Sequence, residues 1–278
     1  MALTVDLTNV VREYRIGGHT VRALNRVTLR INGGEFTSIV GPSGAGKSTL
    51  LQLLGALDSP DSGSIQFNGT EIATMTDEQQ STFRRHQVGF VFQFFNLLPT
   101  LTAWENVALP MLLDGRRLRQ VRSDAVALLD RVGLGDRIDH RPAELSGGQM
   151  QRVAVARALM MDPPLILADE PTGNLDSSTG AAIMELLRDV SRTDGAGRAV
   201  VMVTHDLGAA SQTDRVITVQ DGAVKSDLAG RTRAARPAPP APRNGRHSAG
   251  GRDQSTDVFP IVTTDPQRRR GKHSAHRV

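Results

Sequence analysis

Hydrophobic and polar residues alternate in two stretches near the start of the chain, and a different pattern follows them. The stretches "ALTVDLTNV" and "VRALNRVTLRI" alternate with a period of two, which is typical of antiparallel strands with one buried face. Four short apolar segments come later, namely "EFTSIV", "VGFVF", "PLILA" and "AVVMVT". Segments that are apolar on both faces indicate strands buried inside a parallel sheet.

Stretches with helical periodicity separate these apolar segments, and we predict helices over 47–57, 121–132, 147–160 and 178–192. Strands that alternate with helices are typical of a wound α/β fold. The stretch from about 95 to 160 is mostly helical and contains no obvious strand. The chain is therefore predicted to be an α/β protein with an antiparallel β subdomain and a helical subdomain inserted over about 95–160.

The composition changes near residue 229. Residues 230–278 are rich in Ala, Arg, Pro and Gly and lack apolar periodicity, so they cannot bury enough surface to offset the entropy lost on ordering. We predict one domain over 1–229 and a disordered basic tail over 230–278. The tail is either simply solvated or, through "VFPIV" and "RRRGK", a docking peptide or a contact with anionic lipid.

Composition and charge limit the classes of protein to which this chain can belong. Hydrophobic residues make up 39% of the chain, which is typical of a globular protein, and the absence of cysteine excludes disulfides and thiolate sites. The net charge of +4 hides an asymmetry, because residues 231–278 hold 11 Lys and Arg against 3 Asp and Glu. The remaining chain is mildly acidic, so an argument for nucleic-acid binding would rest on the tail alone.

Two segments bear on membrane association. The N-terminal "MALTVDLTNV" lacks the basic and apolar regions of a signal peptide. Residues 87–104 carry no charge, but Gln93, Asn96 and Pro99 interrupt their apolar character, so we do not expect a spanning helix there. Any link to a membrane is therefore expected to come through a partner.

Polar residues follow each of the four apolar strands at the point where the strand ends. The loop "GPSGAGKST" follows the first strand, Gln93 the second, Asp169 and Glu170 the third, and His205 the fourth. Ligands of open parallel sheets bind beyond the carboxyl ends of the strands. We therefore expect these groups to form one site.

The segment "GPSGAGKS" matches the phosphate-binding pattern G-x-x-x-x-G-K-[ST]. Its glycines let backbone N–H groups point inward at phosphate, and the helix that follows adds its positive end. Lys47 would reach the β and γ phosphates, and the hydroxyl of Ser48 would bind Mg²⁺. The candidate nucleotide-binding residues of this loop are Gly41, Pro42, Ser43, Gly44, Ala45, Gly46, Lys47, Ser48 and Thr49.

Asp169 ends a buried strand, where an unpaired carboxylate is costly, and a Mg²⁺ ion would offset that cost. Glu170 is the candidate for polarising an attacking water. Gln93 is a candidate for contact with the metal or the water, and His205 for contact with the γ-phosphate; ordinary polar surface is the alternative for both. Tyr14, the only tyrosine, offers a flat face to adenine, although its spacing alone favours core packing.

The segment "LSGGQ" at 145–149 precedes a predicted helix with Met150, Ala154 and Ala158 as its buried stripe. Ser146 is a good N-cap residue, and the two glycines expose the N–H groups of the first turn. This helix start is either an anion site or an ordinary capped helix. No lysine lies nearby in the sequence to complete an anion site.

The motifs "GPSGAGKST", "LSGGQMQRVAVARAL", "LILADEP", "NLD" and "VTHD", in this order, closely resemble the ATP-binding subunits of ABC transporters over about residues 1–225. The resemblance implies a RecA-like P-loop NTPase core that hydrolyses ATP with Mg²⁺. It also implies a homodimer in which two copies meet head to tail. The residues implied to bind the partner copy's ATP are Ser146, Gly147, Gly148 and Gln149.

Other residues acquire roles by the same resemblance. Tyr14 resembles the adenine-stacking aromatic residue and Gln93 the glutamine that reaches the metal site. Asp176 resembles the aspartate of the loop after the catalytic carboxylate, and His205 the switch histidine. The sequence departs from the usual pattern in having "NLD" instead of "ALD" and Met150 where glutamine is common.

The stretch "VGFVFQFFNLLPTLTAWENVALP" together with "PTGNLD" looks most like the lipoprotein-release and macrolide-export branch. That resemblance implies membrane permease subunits as partners and a location on the cytoplasmic face of the membrane. Trp104 replaces an aliphatic residue and either packs in the helical subdomain or touches the permease. Alternatives are a cell-division ATPase that transmits force to a cell-wall enzyme and a soluble ATPase acting on nucleic acid.

Overall fold

The computed structural model describes residues 3–192 and 197–229, so the predicted tail over 230–278 lies outside the described residues. The strands are β1 Thr4–Ile16, β2 His19–Asn32, β3 Phe36–Val40, β4 Ser62–Phe67, β5 Thr70–Glu71, β6 Val88–Val91, β7 Leu165–Asp169, β8 Ala199–Val203, β9 Arg215–Gln220 and β10 Ala223–Ala229. The helices are α1 Lys47–Leu54, α2 Asp77–Gln87, α3 Ala103–Leu113, α4 Leu118–Arg131, α5 Gly147–Leu159, α6 Ser177–Arg192 and α7 Leu207–Ala210.

The strands form two sheets. The first is antiparallel, with the order β2-β1-β4-β5, and contains the two alternating stretches predicted to pair. The second has the order β10-β9-β3-β8-β7-β6. The five strands β9, β3, β8, β7 and β6 run parallel to one another, and β10 pairs antiparallel with β9 at the edge. The predicted α/β class and the antiparallel subdomain are therefore confirmed.

The continuous apolar runs are explained by burial on both faces of the second sheet. In β7, Leu165 and Leu167 pack against α1 and the inner face of the first sheet. Ile166 and Ala168 point the other way and pack against α5 and α6. Because successive side chains of a strand alternate between faces, a strand covered on both sides needs apolar residues at every position.

A helical subdomain separates β6 from β7, as the sequence predicts. Helices α3, α4 and α5 share a cluster of buried hydrophobic residues that includes Trp104, Val107 and Leu129. The Trp104 side chain is buried, and the guanidinium of Arg122 lies 5.3 Å from the centre of its ring. Trp104 therefore packs within the subdomain, which was one of its two predicted roles.

The uncharged stretch 87–104 contains strand β6 and the start of α3 instead of a spanning helix. Across residues 3–192 and 197–229, none of the helices is long and apolar enough to span a bilayer. The sequence-based rejection of this stretch as a membrane helix is therefore confirmed.

The sequence patterns did not predict α2, β4, β5, β9 or β10. Helix α2 is mostly polar and buries only Phe83 among its residues, so its hydrophobic periodicity is weak. A capping box between Thr76 and Gln79 defines its start instead. The strand β10 lies at a sheet edge and is largely exposed, which removes the apolar pattern on which strand prediction depends.

Candidate active site

The parallel strands β3, β8, β7 and β6 lie side by side, so their carboxyl ends share one edge of the sheet. The phosphate loop follows β3, Gln93 follows β6, Asp169 ends β7, and His205 follows β8. Residues that lie far apart in the sequence are thus brought to one edge.

The phosphate loop, residues 41–49, runs from the end of β3 into the first turn of α1. Gly41 and Gly46 have φ angles of 155° and 98°, and a Cβ at either would lie 2.0 Å from the Val219 carbonyl oxygen or 2.2 Å from that of Ala23. Only glycine fits at these two positions without strain. The loop is therefore held tightly against neighbouring backbone, and within it the Ala45 N–H donates to the Pro42 carbonyl oxygen at 3.2 Å.

Lys47 begins α1 and points its ammonium back into the loop. Its Nζ donates to the carbonyl oxygens of Gly41, at 2.9 Å, and Pro42, at 3.0 Å. The side chain is buried. The lysine is therefore held inside the curve of the loop that would receive phosphate.

Asp169 is the last residue of β7 and pairs with Val203 of β8. Burial raises the pKa of the Asp169 carboxyl, the negative charge of Glu170 raises it further, and the positive charge of Lys47 lowers it. A partly buried carboxylate beside the phosphate loop fits a divalent cation. The described residues hold no cluster of three or more metal-binding His, Cys, Asp or Glu side chains.

Asp169→Asn is expected to stabilise the nucleotide-free protein. The raised pKa means that the folded state binds the proton more tightly than the unfolded chain, so ionisation of Asp169 lowers stability as the pH rises through that range. Asparagine removes this cost at neutral pH, by up to about 1 kcal/mol because the group is partly exposed, or about 2–4 °C in unfolding temperature. Calorimetry of Asp169→Asn and of the exposed control Asp124→Asn measures the difference, which should shrink in acid. An unchanged or lower unfolding temperature at neutral pH would contradict this.

Glu170 follows Asp169 and adopts a left-handed backbone conformation with φ of 45°. Its carboxylate accepts hydrogen bonds from the Thr204 hydroxyl at 3.2 Å and from the His205 backbone N–H at 3.1 Å. The Nδ1 atom of His205 lies 2.8 Å from the same carboxylate. The Glu170 side chain is 15% exposed and that of His205 is 71% exposed, so the imidazole lies on the open side of the carboxylate.

Gln93 lies beside the loop that follows Glu170. A Cβ added to Gly173 would lie 3.3 Å from the Nε2 atom of Gln93, and the side chain of Asn174 donates to the Gln93 carbonyl oxygen at 2.9 Å. The loop after β6 and the loop after β7 are therefore joined. Gln93, Asp169, Glu170 and His205 are thus close to one another, as their positions at strand ends suggest.

Tyr14 lies on β1, outside the buried hydrophobic core, so the expectation of core packing from its spacing is wrong. Its hydroxyl donates to Asp58 at 2.8 Å, and the Arg12 guanidinium lies 4.8 Å from the centre of its ring. Arg12 also makes two hydrogen bonds of 2.8 Å to Asp58. The ring is held by polar contacts, which leaves the residue half-buried at the surface of the first sheet.

Ser146 caps α5 through a capping box with Gln149. The Gln149 N–H donates to the Ser146 hydroxyl at 3.3 Å, and the Ser146 N–H donates to the Gln149 side chain at 2.9 Å. A Cβ on Gly148 would lie 2.2 Å from the Thr179 methyl group, so only glycine allows α5 to approach α6 this closely. The capped-helix interpretation is correct, and it leaves the anion-site interpretation open.

Asp176 caps the start of α6 beside this helix. Its carboxylate accepts hydrogen bonds from the Ser178 hydroxyl at 2.6 Å and from the N–H groups of Ser178 and Thr179 at 3.1 and 3.0 Å. These bonds hold the pKa of Asp176 well below its usual range. Among the described residues, neither Asp176 nor the start of α5 forms a hydrogen bond or ion pair with the phosphate loop of the same chain.

Two contacts around Glu170 involve residues that the sequence patterns did not single out. Thr204 lies between the end of β8 and His205. A hydroxyl residue at a strand end was the sequence signal from which this residue could have been predicted. Gln151 is fully buried on α5 and donates to the Pro171 carbonyl oxygen at 2.9 Å. An amide on the apolar face of a predicted helix was the signal for this residue.

Several known proteins are similar in sequence to this chain. The ABC transporter family profile matches residues 24–173. The macrolide export ATP-binding/permease protein MacB of Chlorobaculum tepidum is 46% identical over 245 residues, which cover 88% of this chain and 37% of that protein. An uncharacterized ABC transporter ATP-binding protein of Thermotoga maritima is 46% identical over 225 residues, which cover 81% of this chain and 95% of that protein.

A solved structure is also similar to this chain. The dimeric post-hydrolysis state of the ATP-binding cassette MJ0796 bound to ADP and Pi is 43% identical, with a TM-score of 0.74, and the match covers 82% of this chain and 99% of that chain. The chain spans about a third of the length of the MacB relatives that it matches. The chain belongs to the ABC transporter family and is one of its ATP hydrolases.

Proposed function

We propose that this chain is the ATPase subunit of an export-type ABC complex. It would bind and hydrolyse MgATP between two copies of itself and thereby drive a separate membrane permease. The observation that carries the proposal is the separation of two phosphate-directed groups. The phosphate loop and the capped start of α5 lie on one chain, yet no hydrogen bond joins them within the described part. A second copy in head-to-tail contact would supply the missing half of each site.

The residues that would hold the nucleotide come from both copies. In one copy, the loop from Gly41 to Thr49 would cradle the phosphates, and Lys47 would exchange its two carbonyl partners for phosphate oxygens. Tyr14 would stack on adenine. The contribution of the other copy would be the Ser146–Gln149 helix start, with Asp176 beside it. The dimeric cassette MJ0796 with ADP and Pi supports this arrangement by analogy.

The metal would be held by Ser48, Asp169 and Gln93, whose hydroxyl, carboxylate and amide oxygens are ligands that Mg²⁺ accepts. When bound, Mg²⁺ neutralises charge on the β and γ phosphates. Phosphoryl transfer of this kind depends mainly on positioning and charge stabilisation. The raised pKa of Asp169 fits this role, because a cation would favour the ionised form that burial disfavours.

Glu170 would orient the attacking water and accept its proton. The water oxygen forms a bond to the γ-phosphorus, the bond to the bridging oxygen breaks, and ADP leaves with that electron pair. His205, exposed at the open side of Glu170, would contact the γ-phosphate. These steps need the carboxylate in a fixed place, which its three contacts with Thr204 and His205 provide.

The permease partner is proposed from the relatives. The MacB proteins carry names that combine ATP-binding and permease functions, and this chain matches about a third of their length. The ATPase would then lie on the cytoplasmic face of the membrane through that permease. Purification of the tagged full chain from solubilised membranes tests this part of the proposal. Consistent recovery without any membrane protein would argue against it.

Ser146→Arg is expected to weaken ATP-dependent dimerisation by at least about tenfold, while each monomer still binds nucleotide. A long cation at this helix start would obstruct the approach of the partner's nucleotide. The matched control is Thr76→Arg, because Thr76 caps α2 with Gln79 through the same pair of hydrogen bonds. Sedimentation with ATP, in chains that also carry Glu170→Gln to slow hydrolysis, measures dimer formation. Equal dimerisation of both arginine variants would refute the head-to-tail site.

A further inference from the structure

Gln151 is a buried polar residue that lies outside the proposed set of nucleotide-binding residues. It lies on α5 with none of its surface exposed, and its Nε2 atom donates to the carbonyl oxygen of Pro171 at 2.9 Å. Within the described residues its Oε1 atom accepts no hydrogen bond. A buried amide that is only half satisfied costs free energy, and an apolar side chain of similar volume would avoid that cost. The hydrogen bond to the Pro171 carbonyl offsets part of that cost.

That contact lies next to the proposed catalytic carboxylate. Glu170 has a left-handed backbone, which is uncommon for a residue with a side chain and persists only when its surroundings fix it. The Glu170 N–H donates to the Val203 carbonyl at 2.9 Å, and the Gly173 N–H donates to the Glu170 carbonyl at 3.1 Å. Gln151, on α5, adds a third constraint through its hydrogen bond to Pro171, the residue after Glu170.

The helix that carries Gln151 is the helix whose start is proposed to close on ATP. Gln151 lies five residues after Ser146, which is about 7.5 Å along the axis of one rigid helix. A shift of α5 on closure would therefore act directly on the Pro171 carbonyl. In a head-to-tail dimer, the start of α5 contacts the partner's ATP, whereas Glu170 acts on the ATP of its own loop.

We propose that Gln151 is a positioning residue that holds Glu170 in its hydrolytic orientation through the Pro171 carbonyl, and so connects the two nucleotide sites of the dimer. This inference rests on the proposed function. It assigns Gln151 no contact with nucleotide. Loss of its hydrogen bond should therefore affect the rate of turnover and leave ATP binding unchanged.

The test is steady-state ATP hydrolysis by the full chain with Gln151→Met, which keeps the volume of the side chain and removes its donor. We expect kcat to fall about tenfold with KM unchanged. Gln151→Asn keeps the amide but shortens its reach, and it should give the same result if the methionine variant does not fold. Val155→Ala, on the same helix and also buried, is the control for a loss of packing alone and should retain kcat.

A double variant separates positioning from an independent effect. In the Glu170→Gln background, Gln151→Met should cause no further loss of the residual rate, because it acts through Glu170. Losses that multiply, or a kcat equal to wild type in both Gln151 variants, would overturn the inference. If Glu170→Gln alone retains the full rate, the proposed function loses its catalytic carboxylate. A normal loss in Glu170→Gln with unaffected Gln151 variants would reject only the inference.

Discussion

Glu170→Gln is expected to lower kcat for ATP hydrolysis by about 10²–10³-fold while ATP binding is retained. Glutamine has the same shape and keeps a carbonyl oxygen that can accept from the Thr204 hydroxyl or the His205 N–H. It cannot accept a proton from water. Turnover should therefore stall after binding and leave a persistent ATP-bound dimer, detectable by size-exclusion chromatography with ATP alongside a steady-state hydrolysis assay.

The control is Glu185→Gln, on the exposed face of α6 and remote from the strand ends. It makes the same chemical change and should hydrolyse ATP at the wild-type rate. If Glu170→Gln hydrolysed ATP as fast as this control, Glu170 would have no role in activating water. A loss of ATP binding in Glu170→Gln would instead indicate that the substitution disturbs the loop between Glu170 and Gly173.

Lys47→Ala is expected to weaken ATP binding by about 100-fold or more. Hydrogen bonds to charged groups contribute about 1.5–3 kcal/mol each, and this ammonium would bind two phosphates. In the nucleotide-free protein the substitution removes the ammonium that donates to the carbonyl oxygens of Gly41 and Pro42. Calorimetric titration with ATP measures the change, and kcat/KM should fall at least as far.

Lys225→Ala provides the matched control. Lys225 is the other lysine in the described part of the chain, and it lies exposed on β10. Its removal changes the net charge by the same amount and should leave ATP affinity unchanged. Equal affinities for the two alanine variants would show that the loop binds phosphate through its backbone alone.

Much of the fold could be predicted because a buried strand or helix has a recognisable pattern of hydrophobic residues in its sequence. The strands β3, β6, β7 and β8 are mostly apolar, since the second sheet is covered on both faces by the two core clusters. Helix α2 was missed because Phe83 is its only buried residue, and its boundaries depend on the Thr76 cap. Edge strands such as β10 lack the apolar pattern because one edge and most side chains face solvent.

The candidate site could be predicted as a set of positions but not as a set of contacts. Parallel strands align their carboxyl ends, so Gln93, Asp169 and His205 could be placed together from the order of the chain alone. The bond from Thr204 to Glu170 spans 34 residues, and the Arg12 bonds to Asp58 span 46. Such contacts depend on the register and pairing of strands, which local sequence patterns do not specify.

The loop at 41–49 and the α5 start at 146–149 each occur once in the chain. Each ATP site of the proposed dimer would take the loop from one copy and the helix start from the other. Any single substitution in either group is then present in both composite sites of a homodimer at the same time. In such a homodimer, evolution could not tune one ATP site without tuning the other. An asymmetric pair, with one fast and one slow site, would require a second gene of different sequence.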